Sequence, residues 1–193
     1  WASLGLIYST LVPAPLLVAG AYENAYFAYS EASKKNPGNP ELPLLLAQLE
    51  LAKGDPEAAR SFIRNSIALK EDYTDAYLAL ARLEIQQGNT SLAITSAEKL
   101  AVLVPNNPGL YFELGLLKYS NKDYRGAVDS FSKALSLVPD YANAQYYLGL
   151  SFAQLGRLSE AEKQFEALLV TNPDNEEVKS TLKTLRAGKS PVR

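Results

Sequence analysis

Two consecutive stretches of 34 residues decide the fold of this chain. Residues 108–141 read PGLYFELGLLKYSNKDYRGAVDSFSKALSLVPDY, and residues 142–175 read ANAQYYLGLSFAQLGRLSEAEKQFEALLVTNPDN. When the two are aligned, both contain a Leu-Gly pair, an Ala followed four residues later by Phe, and a Pro near the end. A fixed period of roughly 20–50 residues is typical of proteins built from stacked repeats. The pattern therefore predicts a repeat array.

The same period of 34 continues upstream and defines four regular repeats, at residues 40–73, 74–107, 108–141 and 142–175. The recurring positions are Leu46, Leu80, Leu114 and Leu148; Ala47, Ala81, Gly115 and Gly149; Ala59, Ala93, Ala127 and Ala161; and Pro105, Pro139 and Pro173. In each repeat a short polar or glycine-containing break separates two apolar stripes with helical spacing, which predicts two helices joined by a tight turn. We expect the small residues to let the two helix backbones of a repeat approach closely.

The pattern resembles the tetratricopeptide repeat, W-x2-L-G-x2-Y followed by A-x3-F and P. Its second half is carried by Ala127, Phe131 and Pro139, and again by Ala161, Phe165 and Pro173; its first half is carried by Trp1, Leu4, Gly5 and Tyr8. The resemblance implies an all-α, right-handed α-solenoid of about five helix-turn-helix repeats. The departures at Pro43, Ala97, Gln145 and Glu71 leave the register unchanged.

Residues 1–39 are interpreted as a first repeat with an apolar insertion, residues 12–19, in its inter-helix turn. The uncharged run of residues 1–22 has the length of a membrane span, but the repeat motif and the Pro13 and Pro15 breaks favour the repeat. We expect the insertion to pack on a neighbouring surface. Because the chain starts inside a signature helix, further repeats or another domain are expected upstream.

The C-terminal end is predicted to close the array. Val178, Leu182 and Leu185 form one apolar stripe among charged residues, and terminal repeats need such a polar outer face. Residues 176–187 are therefore predicted to form a capping helix, and residues 188–193 a tail.

The composition excludes several classes of site. The 193 residues include 19 Lys and Arg against 21 Asp and Glu, a net charge of −2, and the chain has no Cys, His or Met. Without Cys or His there is no thiol or His-activated nucleophile and no structural zinc site. The near-neutral charge argues against nucleic-acid binding. Glu50 and Glu84, one period apart, are the candidate acids for catalysis, but they are better explained as inward structural residues. We predict no cofactor, no metal and no enzymatic activity.

In the family that the chain resembles, the first helix of each repeat lines a concave groove that binds a partner segment. The residues so implied are Leu44, Gln48 and Leu51, then Leu78, Arg82 and Ile85, then Phe112, Leu116 and Tyr119, then Tyr146, Tyr147 and Leu150. Aromatic anchors in an apolar surface are typical of protein interfaces, although the same rings could instead pack between repeats. Family members that bind a C-terminal carboxylate use Lys and Asn pairs, which Leu44, Gln48, Leu78 and Arg82 replace here. No carboxylate clamp is predicted.

Two functional hypotheses follow. The first is a non-catalytic scaffold that binds a partner peptide or helix in its groove, with Leu78, Arg82, Ile85 and the residues from Phe112 to Leu150 named above as the contact surface. The second comes from a looser likeness. Residues 36–40, 143–150 and 187–191 are similar to the C-terminal repeat regions of bacterial multi-pass membrane proteins, some of them O-antigen-ligase-like. In that interpretation the array is a structural or regulatory appendage of a bacterial membrane protein, tethered only through upstream segments.

Overall fold

The computed structural model describes residues 2–9 and 20–188, and it is all-helical over those ranges. The predicted all-α fold class is confirmed. The helices are α1 (Ala2–Ser9), α2 (Ala21–Lys35), α3 (Glu41–Lys53), α4 (Pro56–Leu69), α5 (Thr74–Gln86), α6 (Thr90–Leu103), α7 (Pro108–Ser120), α8 (Tyr124–Leu137), α9 (Ala142–Gln154), α10 (Leu158–Thr171) and α11 (Glu176–Arg186). Trp1, the predicted insertion at 12–19 and the tail beyond Gly188 lie outside the described residues.

The chain divides into two compact units, an N-terminal unit of residues 1–89 and a C-terminal unit of residues 90–193. In the N-terminal unit, α1 packs on α2, α2 on α3, α3 on α4 and α4 on α5. In the C-terminal unit, each helix from α6 to α10 likewise packs on the next one along the chain. Packing between sequence neighbours is typical of a solenoid. None of the described helices has both the length and the apolar character needed to cross a membrane.

The turns inside the repeats explain where the helices begin and end. Five positions spaced by the repeat have a left-handed backbone, and Lys122, with a φ of 62°, is the non-glycine among them. The other four are Gly20, Gly54, Gly88 and Gly156, with φ between 73° and 91°. Left-handed geometry costs an L-residue about 1–2 kcal/mol and costs glycine nothing. Asp55 and Asp123 then cap the following helices, accepting hydrogen bonds at 2.9 and 3.0 Å from the backbone N–H groups of Ala58 and Gly126, as N-cap residues do.

The small residue of a first helix lies against an aromatic ring of the second helix in three of the repeats. A Cβ added at Gly115 would lie 2.5 Å from Cε1 of Phe131, and one added at Gly149 would lie 2.8 Å from the Phe165 ring. Gly5 meets the Tyr29 ring in the same way. The sequence predicts a small residue here for a steric reason, but it does not identify the atoms that crowd it. The aromatic side chain of the second helix is in fact what fills the space.

The C-terminal helix α11 packs on α10 through its apolar stripe. Val178, Leu182 and Leu185 are only 2%, 6% and 1% exposed. Arg186 near the end of α11 donates to Glu166 of α10 at 2.6 Å. The hydrophobic core of the C-terminal unit is therefore continuous from α8 to α11.

Candidate functional site

A cleft of about 300 Å³ opens between α3 and α5 in the N-terminal unit. Both helices pack on α4 and are joined to it by short turns, so they run in the same direction. Their N-terminal ends therefore lie at the same end of the cleft. The lining residues are Glu41, Leu44, Leu45, Gln48, Tyr73, Asp75, Leu78, Ala79 and Arg82.

The cleft brings together four residues that the sequence implied for the groove, Leu44, Gln48, Leu78 and Arg82. Leu44 is buried and Leu78 half-buried, whereas Gln48 and Arg82 are exposed. The cleft thus has an apolar floor and polar rims. The two other implied residues of these helices, Leu51 and Ile85, are 37% and 51% exposed and do not line it.

Five lining residues were not predicted: Glu41, Leu45, Tyr73, Asp75 and Ala79. The period itself contains the signal for four of them, because Glu41 is 34 residues before Asp75 and Leu45 is 34 residues before Ala79. These pairs lie one turn or less from Leu44 and Leu78. Helix positions three and four residues apart share a face, so the start of each first helix belongs to the same surface.

Charge is unevenly distributed along the cleft. Glu41 is the first residue of α3 and Asp75 the second of α5. Burial and then the negative charges of Asp75 and Glu41 raise the pKa of the Tyr73 phenol, which indicates that both carboxylates face this end. Arg82 lies two turns farther along α5 and forms no ion pair with the described residues.

In the C-terminal unit, the implied aromatic residues form one connected cluster. The Phe112 ring centroid lies 5.9 Å from that of Phe131 and 6.0 Å from that of Tyr147. Tyr147 also stacks on Phe131 at 5.8 Å and meets Tyr119 at 5.9 Å. All but the buried Phe131 are half-buried. Phe112, Tyr119 and Tyr147 therefore pack in the repeat stack with part of their surface still accessible.

Tyr146 connects this cluster to the C-terminal helix. Its hydroxyl donates to Oε1 of Glu177 at 2.7 Å, and its ring lies 5.5 Å from that of Phe165. Burial, then the hydrogen bond to the Glu177 carboxylate, raise the pKa of Tyr146 to about 12. Of the two implied leucines, Leu116 is half-buried against the core and Leu150 is only 7% exposed.

The two candidate acids are bound to other side chains. Glu84 is 1% exposed and accepts from Nε of Arg60 at 2.6 Å and from Nδ2 of Asn89 at 2.7 Å. The hydrogen bond from Arg60 is the main cause of a lowered Glu84 pKa. Glu50 is 4% exposed and accepts from the Tyr22 hydroxyl at 2.6 Å. Both carboxylates therefore join neighbouring helices, as their structural interpretation requires.

Two further observations concern other kinds of site. Among the described residues, no group of three or more His, Cys, Asp or Glu side chains is arranged to hold a metal ion. A cleft of about 520 Å³ in the C-terminal unit contains none of the residues implied by the sequence, and it is lined by Arg125, Val128, Asp129, Leu155 and Arg157. Arg157 is already paired with Glu160.

Comparison with known proteins identifies the family. One tetratricopeptide repeat model matches residues 44–109 and 112–176, and a second matches residues 16–65. No curated protein matches the chain.

Solved structures share the fold. The crystal structure of MamA is 25% identical, with a TM-score of 0.62 over 80% of this chain and 90% of MamA. YrrB, described as a TPR protein with an unusual peptide-binding site, is 20% identical, with a TM-score of 0.67 over 83% of each chain. A chain of the Naa15/Naa10 complex bound to HypK-THB is 19% identical, with a TM-score of 0.75 over 97% of this chain and 29% of that one. The predicted α-solenoid is confirmed, and the chain belongs to the tetratricopeptide repeat family, whose members are generally non-catalytic scaffolds for protein–protein interaction.

Proposed function

We propose that this chain is a non-catalytic scaffold that binds a peptide segment of a partner protein on the faces of its first helices. The observation that carries the proposal is the cleft between α3 and α5, which combines a leucine floor with exposed polar side chains. Ligand sites are commonly concave and apolar with a few polar groups that fix orientation. YrrB, which has the same fold, is described as having a peptide-binding site.

Two polar side chains of the cleft are available to contact a partner. Gln48 and Arg82 are exposed and form no side-chain hydrogen bond or ion pair with the described residues. An amide and a guanidinium offer donors that match a peptide backbone or a carboxylate. A bound segment would therefore gain polar contacts without breaking any contact of the scaffold.

The residues implied in the C-terminal unit divide by their packing. Phe112, Leu116, Tyr119 and Tyr146 are half-buried, so each keeps accessible area for a partner, and we propose them as contacts together with Leu78, Arg82 and Ile85. Tyr147 stacks on Phe131 and Leu150 is buried. We propose that Tyr147 and Leu150 support this surface through their packing and do not contact the partner.

A peptide selection tests the proposal. Random peptides displayed on phage are selected on the parent chain, and the dissociation constants of the enriched peptides are measured by calorimetry for the parent and for a Gln48→Ala, Arg82→Ala double variant. We expect the double variant to bind at least tenfold more weakly, because hydrogen bonds to a charged group each contribute about 1.5–3 kcal/mol. Both residues are exposed, so helicity should be unchanged.

The matched control is Arg64→Ala, which removes an exposed arginine from α4 in the same unit and lies outside the lining of the cleft. Its affinity should equal that of the parent. Peptides that bind the parent, the double variant and the control equally would place the binding site elsewhere.

A further inference from the structure

The cleft between α3 and α5 has an acidic end and a cationic end. Glu41 and Asp75 stand at the starts of two helices that run in the same direction, and Gln48 and Arg82 stand seven residues later on each helix. Seven residues of α-helix are two turns, or about 10 Å. Like-charged groups thus gather at one end of the cleft, and a single arginine stands at the other.

These charges are available to a ligand. Glu41, Asp75 and Arg82 are exposed, and none of them forms an ion pair with a described residue. Lys70 lies 5.8 Å from the centre of the Tyr73 ring, but its ammonium is paired with Asp72. The acidic end therefore keeps two unneutralised carboxylates.

The floor between the two ends is apolar and small. Leu44 is buried, and Leu45, Leu78 and Ala79 are half-buried. A volume of about 300 Å³ is at the lower limit of ligand pockets, which span roughly 300–1,000 Å³. Such a space suits one apolar side chain of an extended segment and is too small for a helix of about 10 Å diameter.

We propose that the cleft selects extended peptide segments in which one apolar side chain lies between a basic and an acidic side chain. The proposal rests on the proposed function and specifies which peptide segments the cleft binds. The basic side chain lies against Glu41 and Asp75, the apolar one enters between Leu44 and Leu78, and the acidic one meets Arg82. An extended chain advances about 3.3 Å per residue with alternate side chains on one face. Because all three side chains must lie on one face, the apolar residue is two positions from each charged residue, and the two charged residues are four apart.

Four capped peptides of the same length test this specificity. Their central segments are Lys-Ser-Leu-Ser-Glu, Lys-Ser-Leu-Ser-Lys, Glu-Ser-Leu-Ser-Glu and Gln-Ser-Leu-Ser-Gln, and capping removes the terminal charges. Binding is measured by fluorescence polarisation at low salt. We expect the parent to bind the mixed-charge peptide about threefold to tenfold tighter than the other three, since exposed ion pairs are individually weak. The preference should shrink in 1 M salt, where the charges are screened.

Charge reversal in the protein separates recognition from a general charge effect. Arg82→Glu should bind the Lys-Ser-Leu-Ser-Lys peptide best, whereas the double variant Glu41→Lys, Asp75→Lys should bind the Glu-Ser-Leu-Ser-Glu peptide best. The control Lys99→Glu makes the same charge change as Arg82→Glu at an exposed position of α6, and it should keep the order of the parent. Circular dichroism checks that all variants are folded.

The outcomes are distinguishable. If the parent binds all four peptides equally, or the reversals leave the order unchanged, the charge specificity is overturned while peptide binding stands. If neither these four peptides nor any selected peptide binds the parent, the proposed function fails as well.

Discussion

At the scale of single residues, glycine and an aromatic ring occur as a pair where the two helices of a repeat cross. Gly115 lies against Phe131 and Gly149 against Phe165, and both rings are fully buried. Sixteen residues also separate Ala47 from Ile63, but there the small residue is alanine and the ring is absent. The methyl group of alanine and the ring compete for one space, because protein interiors are close-packed.

This pairing predicts a non-additive pair of substitutions. Gly115→Ala should lower the free energy of unfolding of the C-terminal unit by about 1–3 kcal/mol, as overpacking does. In the Phe131→Ile background, which reproduces the Ala47 and Ile63 combination, the same substitution should cost much less. We expect a coupling energy of about 1 kcal/mol or more from a double-mutant cycle in urea. Additive effects of Gly115→Ala and Phe131→Ile would contradict the pairing. Ala47→Gly, made opposite Ile63 where the ring is absent, serves as the reciprocal control.

The sequence predicts the presence of these small residues but not what they accommodate. Helical spacing shows that Gly115 faces the second helix, but it does not show how far the Phe131 ring reaches. The same limit applies to Tyr146 and Tyr147. Both lie on a first helix, and only the contacts distinguish the phenol that reaches Glu177 from the ring that stacks on Phe131.

At the scale of helices, α11 is attached to its neighbours by two kinds of contact. Its apolar stripe packs on α10, and Glu177 accepts a hydrogen bond from Tyr146 of α9. The stripe was readable from the sequence, because three apolar residues recur among charged ones. The hydrogen bond between Tyr146 and Glu177 could not be predicted, because the two residues are 31 positions apart and neither residue type is unusual on a helix surface.

The raised pKa of Tyr146 predicts a pH-dependent contribution to stability. Its value in the folded chain is about 12, above the ordinary 10, so folding favours the protonated phenol. The contribution is full below pH 10 and is lost as the pH rises through about 12. Tyr146→Phe should therefore unfold at a lower temperature than the parent at pH 8, with a loss of up to about 1 kcal/mol. At pH 11.5 the difference should be smaller.

Thermal unfolding followed by circular dichroism at the two pH values makes this comparison. Tyr77→Phe, at a half-buried tyrosine of α5 in the other unit, controls for the general loss of a hydroxyl group. A Tyr146→Phe effect of the same size at both pH values would contradict the assigned role of the phenol.

At the scale of the whole molecule, the contacts between successive repeats differ in charge. Glu50, Glu84, Lys118 and Phe152 stand at equivalent positions, one period apart, on the first helices. Glu84 pairs with Arg60 of the preceding helix, whereas Lys118 pairs with Glu98 of the preceding helix at 2.8 Å. The sign of the pair is reversed between the two units. At these two junctions we therefore expect each repeat to be matched to its neighbour by charge.

Removing one full period tests this matching. Deletion of residues 74–107 would place Lys118 opposite Arg60, in the position that Glu84 occupies in the full chain. We expect the deleted chain to be destabilised, because a buried charge without its partner costs about 3–5 kcal/mol. Lys118→Glu should raise the melting temperature of the deleted chain and lower that of the full chain, where it would oppose Glu98.

The control is Lys163→Glu, which makes the same charge change in both backgrounds at an exposed residue of α10, outside the deleted range. If Lys118→Glu changes the melting temperatures of the two chains in opposite directions, the result would support repeat-specific charge matching. An equal effect in both backgrounds would show that the junction is insensitive to the identity of its neighbour.

The period of 34 was sufficient to predict the fold class and the family, because every repeat contributes to the same pattern and local departures leave it intact. The sequence predicted residues of the apolar floor and of the cationic end of the cleft, but not its acidic end. Leu44, Gln48, Leu78 and Arg82 follow from family resemblance, but Glu41 and Asp75 resemble ordinary acidic helix starts. They belong to the cleft because α3 and α5 run in the same direction side by side. The hydrophobic pattern of one helix does not show how it is placed beside another.

The left-handed turn at Lys122 has a consequence for proteolysis. Its side chain is exposed, and the turn joins α7 to α8 at a residue that trypsin recognises. Exposed tips of this kind are preferred sites of nicking. A chain cut there would keep the ring contacts of Phe112 with Phe131 and of Tyr119 with Tyr124 across the break. The Lys122–Asp123 bond is therefore a natural place to divide the protein into two fragments that reassemble by complementation.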